Sequence, residues 1–159
     1  MAKKSGKSRE PQGPATIQNR RARYDYEILD TLETGMVLQG SEVKSLYAGR
    51  AHIADAYCRI VNGELWVYHL DIEPWTHSSA FTPDRRRDRK LLAHAREIVL
   101  LERRAQERGL SIIPLSIYFK NGKAKMLVGT ARGKHNYDKR ETLKDKETKR
   151  DLRRELRDL

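Results

Sequence analysis

Two clusters of basic residues, each with aromatic residues nearby, are the groups in this sequence best suited to bind a ligand. One is Asn-Arg-Arg-Ala-Arg at residues 19–23, and the other is Asp-Arg-Arg-Arg-Asp-Arg-Lys at residues 84–90. Closely spaced cationic side chains bind phosphates, and aromatic rings stack on unpaired bases at about 1–3 kcal/mol per base. The combination indicates RNA binding. The side chains concerned are Arg20, Arg21, Arg23, Arg85, Arg86, Arg87, Arg89 and Lys90 for phosphates, and Tyr24, Tyr26, His94 and Tyr137 for bases.

Catalytic residues are hard to find. A metal-dependent nuclease needs converging carboxylates beside a basic patch. His52 and Asp55 are close in sequence, and Asp84, Asp88 and His94 surround a basic loop. Because Asp84 and Asp88 alternate with arginines, solvated charge pairs explain them better. Ser–His–Asp catalysis has no glycine-rich nucleophile turn to support it, and the single cysteine, Cys58, excludes an intramolecular disulfide and a cysteine metal site. We therefore predict no enzyme activity, no metal and no cofactor, with a small nuclease acting through Asp84, Asp88 and His94 as an alternative.

The positive charge of the chain is concentrated at its two ends. The formal net charge is +11; residues 1–23 contain seven Lys/Arg and one acid, and residues 130–159 contain eleven Lys/Arg and seven acids. A nearly neutral body with basic ends is typical of proteins that bind a polyanion. Neither end has the basic amphipathic face that binds membranes. Since the sequence shows no apolar signal segment and no apolar run of transmembrane length, we expect a soluble cytoplasmic protein without a membrane partner.

A strand-to-helix corner organises the elements that must position these side chains. Side chains alternate over 36–39 as in a half-buried strand, and Gly40 ends the alternation. Ser41 is placed to cap a short helix, and Glu42 lies in the first turn, where the helix dipole favours an anion. Gly49 is a good C-terminal stop for this helix.

The rest of the body predicts antiparallel β-structure with one long helix. Strand patterns lie at 24–32 and in two hairpins with Asn-Gly turns at 62–63 and 121–122. Between the hairpins, apolar residues at spacings of three and four predict helical structure over about 88–108, either as one helix or as a short and a longer helix divided at His94. Pro114 cannot donate a ladder hydrogen bond, so its strand is an edge strand or is bulged there. We predict a mainly β fold: a small OB-like β-barrel of about six strands with two or three helices.

Three parts of the chain follow from these patterns: a disordered basic arm at 1–18, an OB-like RNA-binding barrel at 19–132, and a basic C-terminal tail at 133–159. The tail contains almost no core-forming residues. Its ion pairs at helical spacing, such as Asp145–Lys149, contribute only a few tenths of a kcal/mol each. Because so charged a segment is at most marginally helical alone in water, we expect it to fold against a partner.

Several segments resemble one protein family. Gly-Met-Val-Leu-Gln-Gly-Ser-Glu-Val-Lys-Ser-Leu at 35–46 closely resembles the signature of SmpB (small protein B, the SsrA-binding protein), the partner of transfer-messenger RNA (tmRNA) in bacterial ribosome rescue. Residues 19–26 resemble the family's N-terminal RNA-contacting segment. Residues 89–94 resemble its Arg-Lys-Leu-Leu-Leu-(His/Asn) segment, and residues 133–140 resemble its Gly-Lys-Lys-x-x-Asp-Lys-Arg tail motif. The resemblance extends from about Asn19 to the C-terminus and implies the same OB-like fold.

The resemblance implies a non-enzymatic RNA-binding protein of trans-translation in the bacterial cytoplasm. The barrel would bind the tRNA-like domain of tmRNA, and the complex would enter a stalled ribosome with elongation factor Tu and GTP. The tail from about Tyr137 would occupy the vacant mRNA channel, next to 16S rRNA and the decoding centre, and become helical there. The alternative in the same broad class is a ribosomal protein or a ribosome-assembly factor that binds rRNA stably.

The residues and the resemblance together give two sets of candidate site residues. Tyr47, Ala93 and His135 depart from the family pattern, where an arginine, a leucine and a lysine are usual, and this puts some packing and two phosphate contacts in doubt. The RNA-binding set is Asn19, Arg20, Arg21, Arg23, Tyr26, Glu33, Gln39, Lys44, Arg89, Lys90, Leu92 and His94, and the ribosome-binding tail set is Lys134, Tyr137, Asp138, Lys139, Arg140, Lys144, Lys149 and Arg150.

Overall fold

The computed structural model describes residues 13–77, 82–134 and 136–157, with the backbone alone at 136–138. Nine strands and four helices lie in this part of the chain. The strands are β1 (Ile17–Gln18), β2 (Tyr26–Met36), β3 (Ala51–His52), β4 (Tyr57–Val61), β5 (Glu64–Tyr68), β6 (Asp71–Ile72), β7 (Arg89–Leu92), β8 (Ser111–Lys120) and β9 (Lys123–Gly133), and the helices are α1 (Arg20–Asp25), α2 (Gly40–Tyr47), α3 (Ala95–Arg108) and α4 (Asn136–Arg157).

Six antiparallel strands close into a barrel. Their pairing runs β2–β9–β8–β4–β5–β7 and returns from β7 to β2. The junction of β4 with β8 is the shortest and consists of the pair Cys58–Ile112. Strand β1 pairs with β8, and β3 pairs with β6 in a separate two-stranded ribbon. The predicted mainly β, OB-like barrel of about six strands is confirmed.

Alternating side chains fill the barrel interior. Leu65 and Val67 of β5 are completely buried, and the residue between them is half-exposed. Helices α2 and α3 contribute Leu46, Ile98 and Leu101 to the same hydrophobic core. A smaller hydrophobic cluster packs α1 against β8 and β9. Burial of apolar surface, at about 25 cal/mol per Å², is the main force that holds the helices on the barrel.

The local turn chemistry is as predicted. In the first hairpin Asn62 and Gly63 have φ of 51° and 74°, and in the second Asn121 and Gly122 have φ of 52° and 74°. Two successive residues with positive φ are the mark of the tight turn that Asn-Gly favours. The register of β8 on β9 shifts between Pro114 and Ser116, so the predicted bulge is confirmed.

Two predicted element boundaries are wrong. Arg89–Leu92 is strand β7 and not the beginning of the long helix, which starts at Ala95. Leu91 fits both a helical and an alternating pattern. The segment is a strand because Leu91 pairs with β5 and β2. Residues 20–25 form helix α1, so β2 begins at Tyr26.

The cap of α2 also differs from the prediction. The N-cap residue is Gln39, whose backbone is extended, and its N–H donates to Oε2 of Glu42 at 2.9 Å. Ser41 therefore lies inside the first turn and is not the cap. Gly49 follows the helix with φ of 75°, consistent with the predicted stop.

The two ends of the chain differ in how far the structure describes them. Residues 1–12 of the predicted arm lie outside the described residues, whereas Ile17–Gln18 belongs to the body because it pairs with β8. The tail is a 22-residue helix, α4, although the sequence predicted a helix only against a partner. Among the described residues, no helix has the length and apolar character that crossing a membrane requires.

Gly129 lies where β9 passes close to its neighbours. A Cβ at this position would lie 2.9 Å from Cδ1 of Leu115, 3.1 Å from Cγ2 of Ile28 and 3.2 Å from the carbonyl oxygen of Asp30. We expect Gly129→Ala to lower the free energy of unfolding by about 1–3 kcal/mol, because an overpacked site forces side chains and backbone to shift. Urea unfolding measures this. Gly133→Ala on the same strand faces open space and is the matched control; equal stability of the two variants would contradict the expectation.

Candidate RNA interface

The first basic cluster forms helix α1 and leads into β2. Arg20 and Arg23 are exposed, and neither forms an ion pair with another described residue. Arg21 contacts Asp25 and Asp55, each at 3.3 Å. Exposed ion pairs of this kind are weak. Arg20 and Arg23 can therefore bind phosphate groups without breaking an ion pair to a described residue. Arg21 can bind a phosphate by leaving Asp25 and Asp55.

Asn19 positions α1 and is not available to contact RNA. It is 4% exposed; its Oδ1 accepts the N–H of Ala22 at 3.0 Å, and its Nδ2 donates to the carbonyl of Pro114 at 2.8 Å. Both ends of the amide are thus satisfied inside the protein. The predicted RNA contact of Asn19 is corrected to a helix cap. Tyr26, directly after α1, is half-buried at the start of β2.

An open cleft of about 520 Å³ lies among β2, β7, β9 and the start of α3. It brings together Glu33, Leu92 and His94, which the sequence predicted as separate RNA-binding residues. Lys125 joins them from β9, because it lies opposite Gly35 in the register with β2. Leu92 is 51% exposed, so the cleft contains an apolar surface between an acidic residue, Glu33, and a basic residue, Lys125. We name this the Glu33 cleft; its residues are Leu32, Glu33, Gly35, Leu92, Ala93, His94, Glu97 and Lys125.

Glu33 is held in its ionised form by its neighbours. Its carboxylate accepts hydrogen bonds from the hydroxyl of Tyr118 and, at 3.4 Å, from Nζ of Lys120. The Tyr118 hydrogen bond, together with the charges of Lys120 and Lys125, lowers the pKa of Glu33 below its ordinary value. Burial and the hydrogen bond to Glu33 raise the pKa of Tyr118 to about 12. The carboxylate can therefore accept from base amino groups and 2′-hydroxyls at neutral pH.

Helix α2 carries two of the predicted residues on its surface. Gln39 and Lys44 are both exposed, and Lys44 forms no ion pair within the part of the chain that the structure describes. Tyr47, which replaces the usual arginine, is 52% exposed and makes an edge contact with the ring of Phe119 at 5.5 Å. This helix can thus supply one cation and one amide to a ligand.

A buried carboxylate organises the second basic cluster. Glu42 is 3% exposed and accepts hydrogen bonds from Arg87 at 2.6 Å and from Arg89 at 2.8 Å. Burial alone would raise the pKa of Glu42, but the hydrogen bonds from Arg87, from the amide of Gln39 and from Arg89 outweigh it and lower the pKa below its ordinary value. Arg89 is completely buried and also donates to the carbonyl of Leu70 at 2.7 Å.

The RNA contact predicted for Arg89 is therefore wrong. Its guanidinium ties the loop before β7 to α2 from inside the protein. Arg85 and Arg86 lie 2.9 Å and 3.8 Å from the carboxylate of Asp71, which is 9% exposed. Lys90 points outward and pairs with Glu64 at 2.8 Å. The sequence missed the two organising acids because no local pattern marks an acid as buried.

The tail helix begins beside α1. Nζ of Lys139 lies 3.5 Å from Oδ1 of Asp25 and 5.9 Å from the centre of the Tyr24 ring. Nζ of Lys134 donates to the carbonyl of Arg23 at 3.2 Å. The predicted tail residues Arg140, Lys144, Lys149 and Arg150 are exposed along α4, whereas His135 and the side chains of Tyr137 and Asp138 lie outside the described residues.

The residues of the nuclease alternative do not form a site. Oδ1 of Asp84 accepts the backbone N–H of Arg86 at 2.9 Å, and Asp88 and His94 are exposed. Across 13–77, 82–134 and the described side chains of α4, no three His, Cys, Asp or Glu side chains come together as metal ligands do. The geometry therefore lends this alternative no support.

Comparison with known proteins gives a consistent result. The family model described as "SmpB protein" matches residues 16–158. The chain is 48% identical over 159 residues to the SsrA-binding protein of Staphylococcus carnosus, covering 99% of both chains. It is 49% identical over 158 residues to that of Thermobifida fusca, covering 99% of this chain and 98% of the relative.

A solved structure shows the same similarity in three dimensions. A chain from the study "tmRNA-SmpB: a journey to the center of the bacterial ribosome" superposes with a TM-score of 0.65 at 44% identity, covering 80% of this chain and 94% of that chain. The match of the family model over nearly the whole chain and the identity of close to one half with its relatives agree with the barrel and the motifs described above. This chain belongs to the SmpB family.

Proposed function

We propose that this protein binds the tRNA-like domain of tmRNA and delivers it to stalled ribosomes in trans-translation. The observation that carries the proposal is the Glu33 cleft, in which Glu33 of β2, the consecutive residues from Leu92 to His94, and Lys125 of β9 converge from three segments of the chain. The name of the relatives, SsrA-binding protein, and a structural relative whose description joins SmpB, tmRNA and the ribosome, support it.

The spacing of the two candidate surfaces favours a structured RNA. Strand β2 connects α1 with the Glu33 cleft: it begins at Tyr26, directly after α1, and its residue Glu33 lines the cleft. Seven residues of strand span about 23 Å at roughly 3.3 Å per residue. An RNA that contacts both surfaces must reach across this distance, as a folded RNA does, and such an RNA is recognised by shape and by phosphate and 2′-hydroxyl contacts more than by sequence.

The exposed cations supply affinity, and the cleft supplies selectivity. Arg20, Arg23 and Lys44 are exposed without carboxylate partners in the described part of the chain, so each can neutralise a phosphate and release its counterion. Such contacts work on any RNA. Glu33 and Leu92 instead favour an RNA that places a base or a sugar against them, because the carboxylate repels a phosphate and the leucine side chain offers it no hydrogen bond.

The tail has a separate task in this proposal. Its exposed cations along α4 contact 16S rRNA in the vacant mRNA channel near the decoding centre, and its acids limit indiscriminate binding. Elongation factor Tu with GTP acts on the same complex during delivery. The protein performs no catalysis itself and works in the bacterial cytoplasm.

The proposal is tested by titrating the full-length protein with three RNAs at two salt concentrations: the tRNA-like domain of tmRNA, an ordinary tRNA and an rRNA fragment. Salt is part of the design because non-specific binding of a basic protein weakens steeply as salt rises. We expect a clear preference for the tRNA-like domain that persists at the higher salt. Equal binding to all three, lost together as salt rises, would contradict the proposal and favour a ribosomal protein or assembly factor.

A further inference from the structure

A second cleft, of about 440 Å³, lies on the barrel wall where β4 meets β8, and helix α3 forms its other side. The barrel is joined there by the pair Cys58–Ile112. We name it the β4–α3 cleft. Its volume lies in the range of roughly 300–1,000 Å³ that is typical of small-ligand sites. Its lining comes from β4, from α3 and from the beginning of β8, with Tyr26 of β2 at one edge.

The floor of this cleft is apolar and reachable. Its side chains are 5–9% exposed to solvent, whereas core residues such as Leu65 are not exposed at all; they belong to Cys58, Leu110, Ile112 and Ile113. The burial of Cys58 raises the pKa of its thiol, so it is an apolar part of the floor at neutral pH. A flat apolar ligand can therefore replace water on the floor.

The rim carries the groups that recognise a nucleotide. Tyr57 is half-buried, and Cζ of Arg59 lies 5.3 Å from the centre of its ring. On the α3 side, Glu102 and Gln106 are one helical turn apart and both line the cleft, as does Ser111 at the start of β8. An aromatic ring, a cation and hydrogen-bonding side chains at this spacing match a base, its phosphate and its polar edge.

Arg59 is the cation that lines this cleft. It is exposed and forms no ion pair with any described residue, although most arginines near the second basic cluster are held by Glu42 or Asp71. It rests on the ring of Tyr57 and can move from there to a phosphate without breaking a salt bridge. The cleft thus offers one cation, Arg59, to a phosphate and one acid, Glu102, to the hydrogen-bond donors of a base.

We propose that the β4–α3 cleft binds one unpaired nucleotide of the RNA partner. The base lies on the apolar floor and contacts Tyr57. Its polar edge forms hydrogen bonds with Glu102 and Gln106, and Arg59 binds its phosphate. This inference rests on the proposed RNA-binding function. It adds a third contact surface, which Tyr26 links to α1 because that residue also lines the smaller cleft beneath α1.

The test compares Tyr57→Leu with Tyr68→Leu in the full-length protein. The two rings stack on each other at 5.4 Å, so either substitution breaks the same ring pair, but only Tyr57 lines the cleft. Each variant is titrated with the tRNA-like domain of tmRNA and with a 16S rRNA fragment from the decoding region. We expect Tyr57→Leu to weaken binding of one of these RNAs roughly tenfold and Tyr68→Leu to leave it nearly unchanged; the RNA affected identifies the source of the nucleotide.

Arg59→Gln supplies a second readout that a purely structural role would not change. Loss of one phosphate contact should make the slope of log affinity against log salt shallower by about one for the same RNA. Equal losses for the two tyrosine variants, or no loss for Tyr57→Leu with either RNA, would overturn the nucleotide site. The wild-type preference for the tRNA-like domain tests the proposed function independently, so failure of one can be told from failure of the other.

Discussion

Truncation after Gly133 should abolish ribosome rescue while leaving the affinity for the tRNA-like domain of tmRNA nearly unchanged. The truncated chain keeps the barrel, helix α1 and the Glu33 cleft, because all of these lie before residue 134. What it loses is α4 with its exposed cations. It also loses the Lys139–Asp25 ion pair, which contributes at most about 1 kcal/mol, and the hydrogen bonds from Lys134 to the carbonyls of Arg23 and Asp25. Helix α1 should stay folded, because it keeps its Asn19 cap and the packing of Ala22 against β8 and β9.

Two assays on the same preparations check this division of labour. RNA affinity is measured by titration, and rescue is measured by release of a stalled peptide from purified ribosomes supplied with tmRNA. A fall in RNA affinity of about a hundredfold, or roughly 2.7 kcal/mol, would show that the tail takes part in RNA capture and that the division is wrong.

A matched pair of point variants asks whether the tail must be helical. Thr148 lies in the interior of α4, and its hydroxyl donates to the carbonyl of Lys144 at 2.9 Å. Thr148→Pro should break the helix, since proline in a helix interior costs about 3 kcal/mol, and it should impair rescue without changing the charge. Thr148→Ala keeps the helix and should retain rescue. Full activity of the proline variant would show that the charge of the tail is enough.

Glu42→Ala should lower the free energy of unfolding by about 3–5 kcal/mol, because it leaves the guanidinium of Arg89 buried without its counter-ion. Arg89 is 0% exposed and Glu42 is 3% exposed, and their nearest atoms lie 2.8 Å apart. The carboxylate also holds Arg87, so the loop before β7 should loosen. Urea denaturation at neutral pH, followed by the fluorescence of the two tryptophans, measures the loss.

Glu64→Ala is the matched control for this prediction. Glu64 makes an ion pair of the same length, 2.8 Å, with Lys90 on the neighbouring strand, but both side chains are more than one-third exposed. Water already screens this pair, so its removal should change the unfolding midpoint little. If the two alanine variants unfold alike, the buried position of Glu42 does not have the energetic weight that the structure implies.

The same carboxylate should make stability depend on pH. Because the folded protein lowers the pKa of Glu42 below its ordinary value of 4.5, its contribution is complete above that ordinary value and is lost as the pH falls through the lower pKa of the folded state. Glu42→Gln removes the titrating group and should weaken the dependence of the unfolding midpoint on pH in this acid range. A variant with the same acid profile as the wild type would contradict the assignment.

Local sequence signals predicted the hairpins and failed at β7. Asn-Gly turns and the bulge at Pro114 depend on the preferences of one or two residues, and these are the same in any fold. In residues 89–92, Leu91 fits a helical pattern as well as a strand pattern. Only the pairing of this segment with β5 and β2 makes it a strand. Helix α1 was missed for a different reason: its cap on Asn19 is local, but six residues are too few to show a helical period.

The sequence by itself determined the family, the barrel class and the residue types available for RNA. Only the tertiary structure decided which charged groups reach the solvent. Arg89 and Lys90 are neighbours in one basic run, yet the first is buried on Glu42, 47 positions away, and the second faces outward. The physical reason is that a charge enters a protein interior only when a partner is already held there to compensate it. Such a partner is brought by the fold, as Lys125 is brought to Glu33 by the register of β9 on β2.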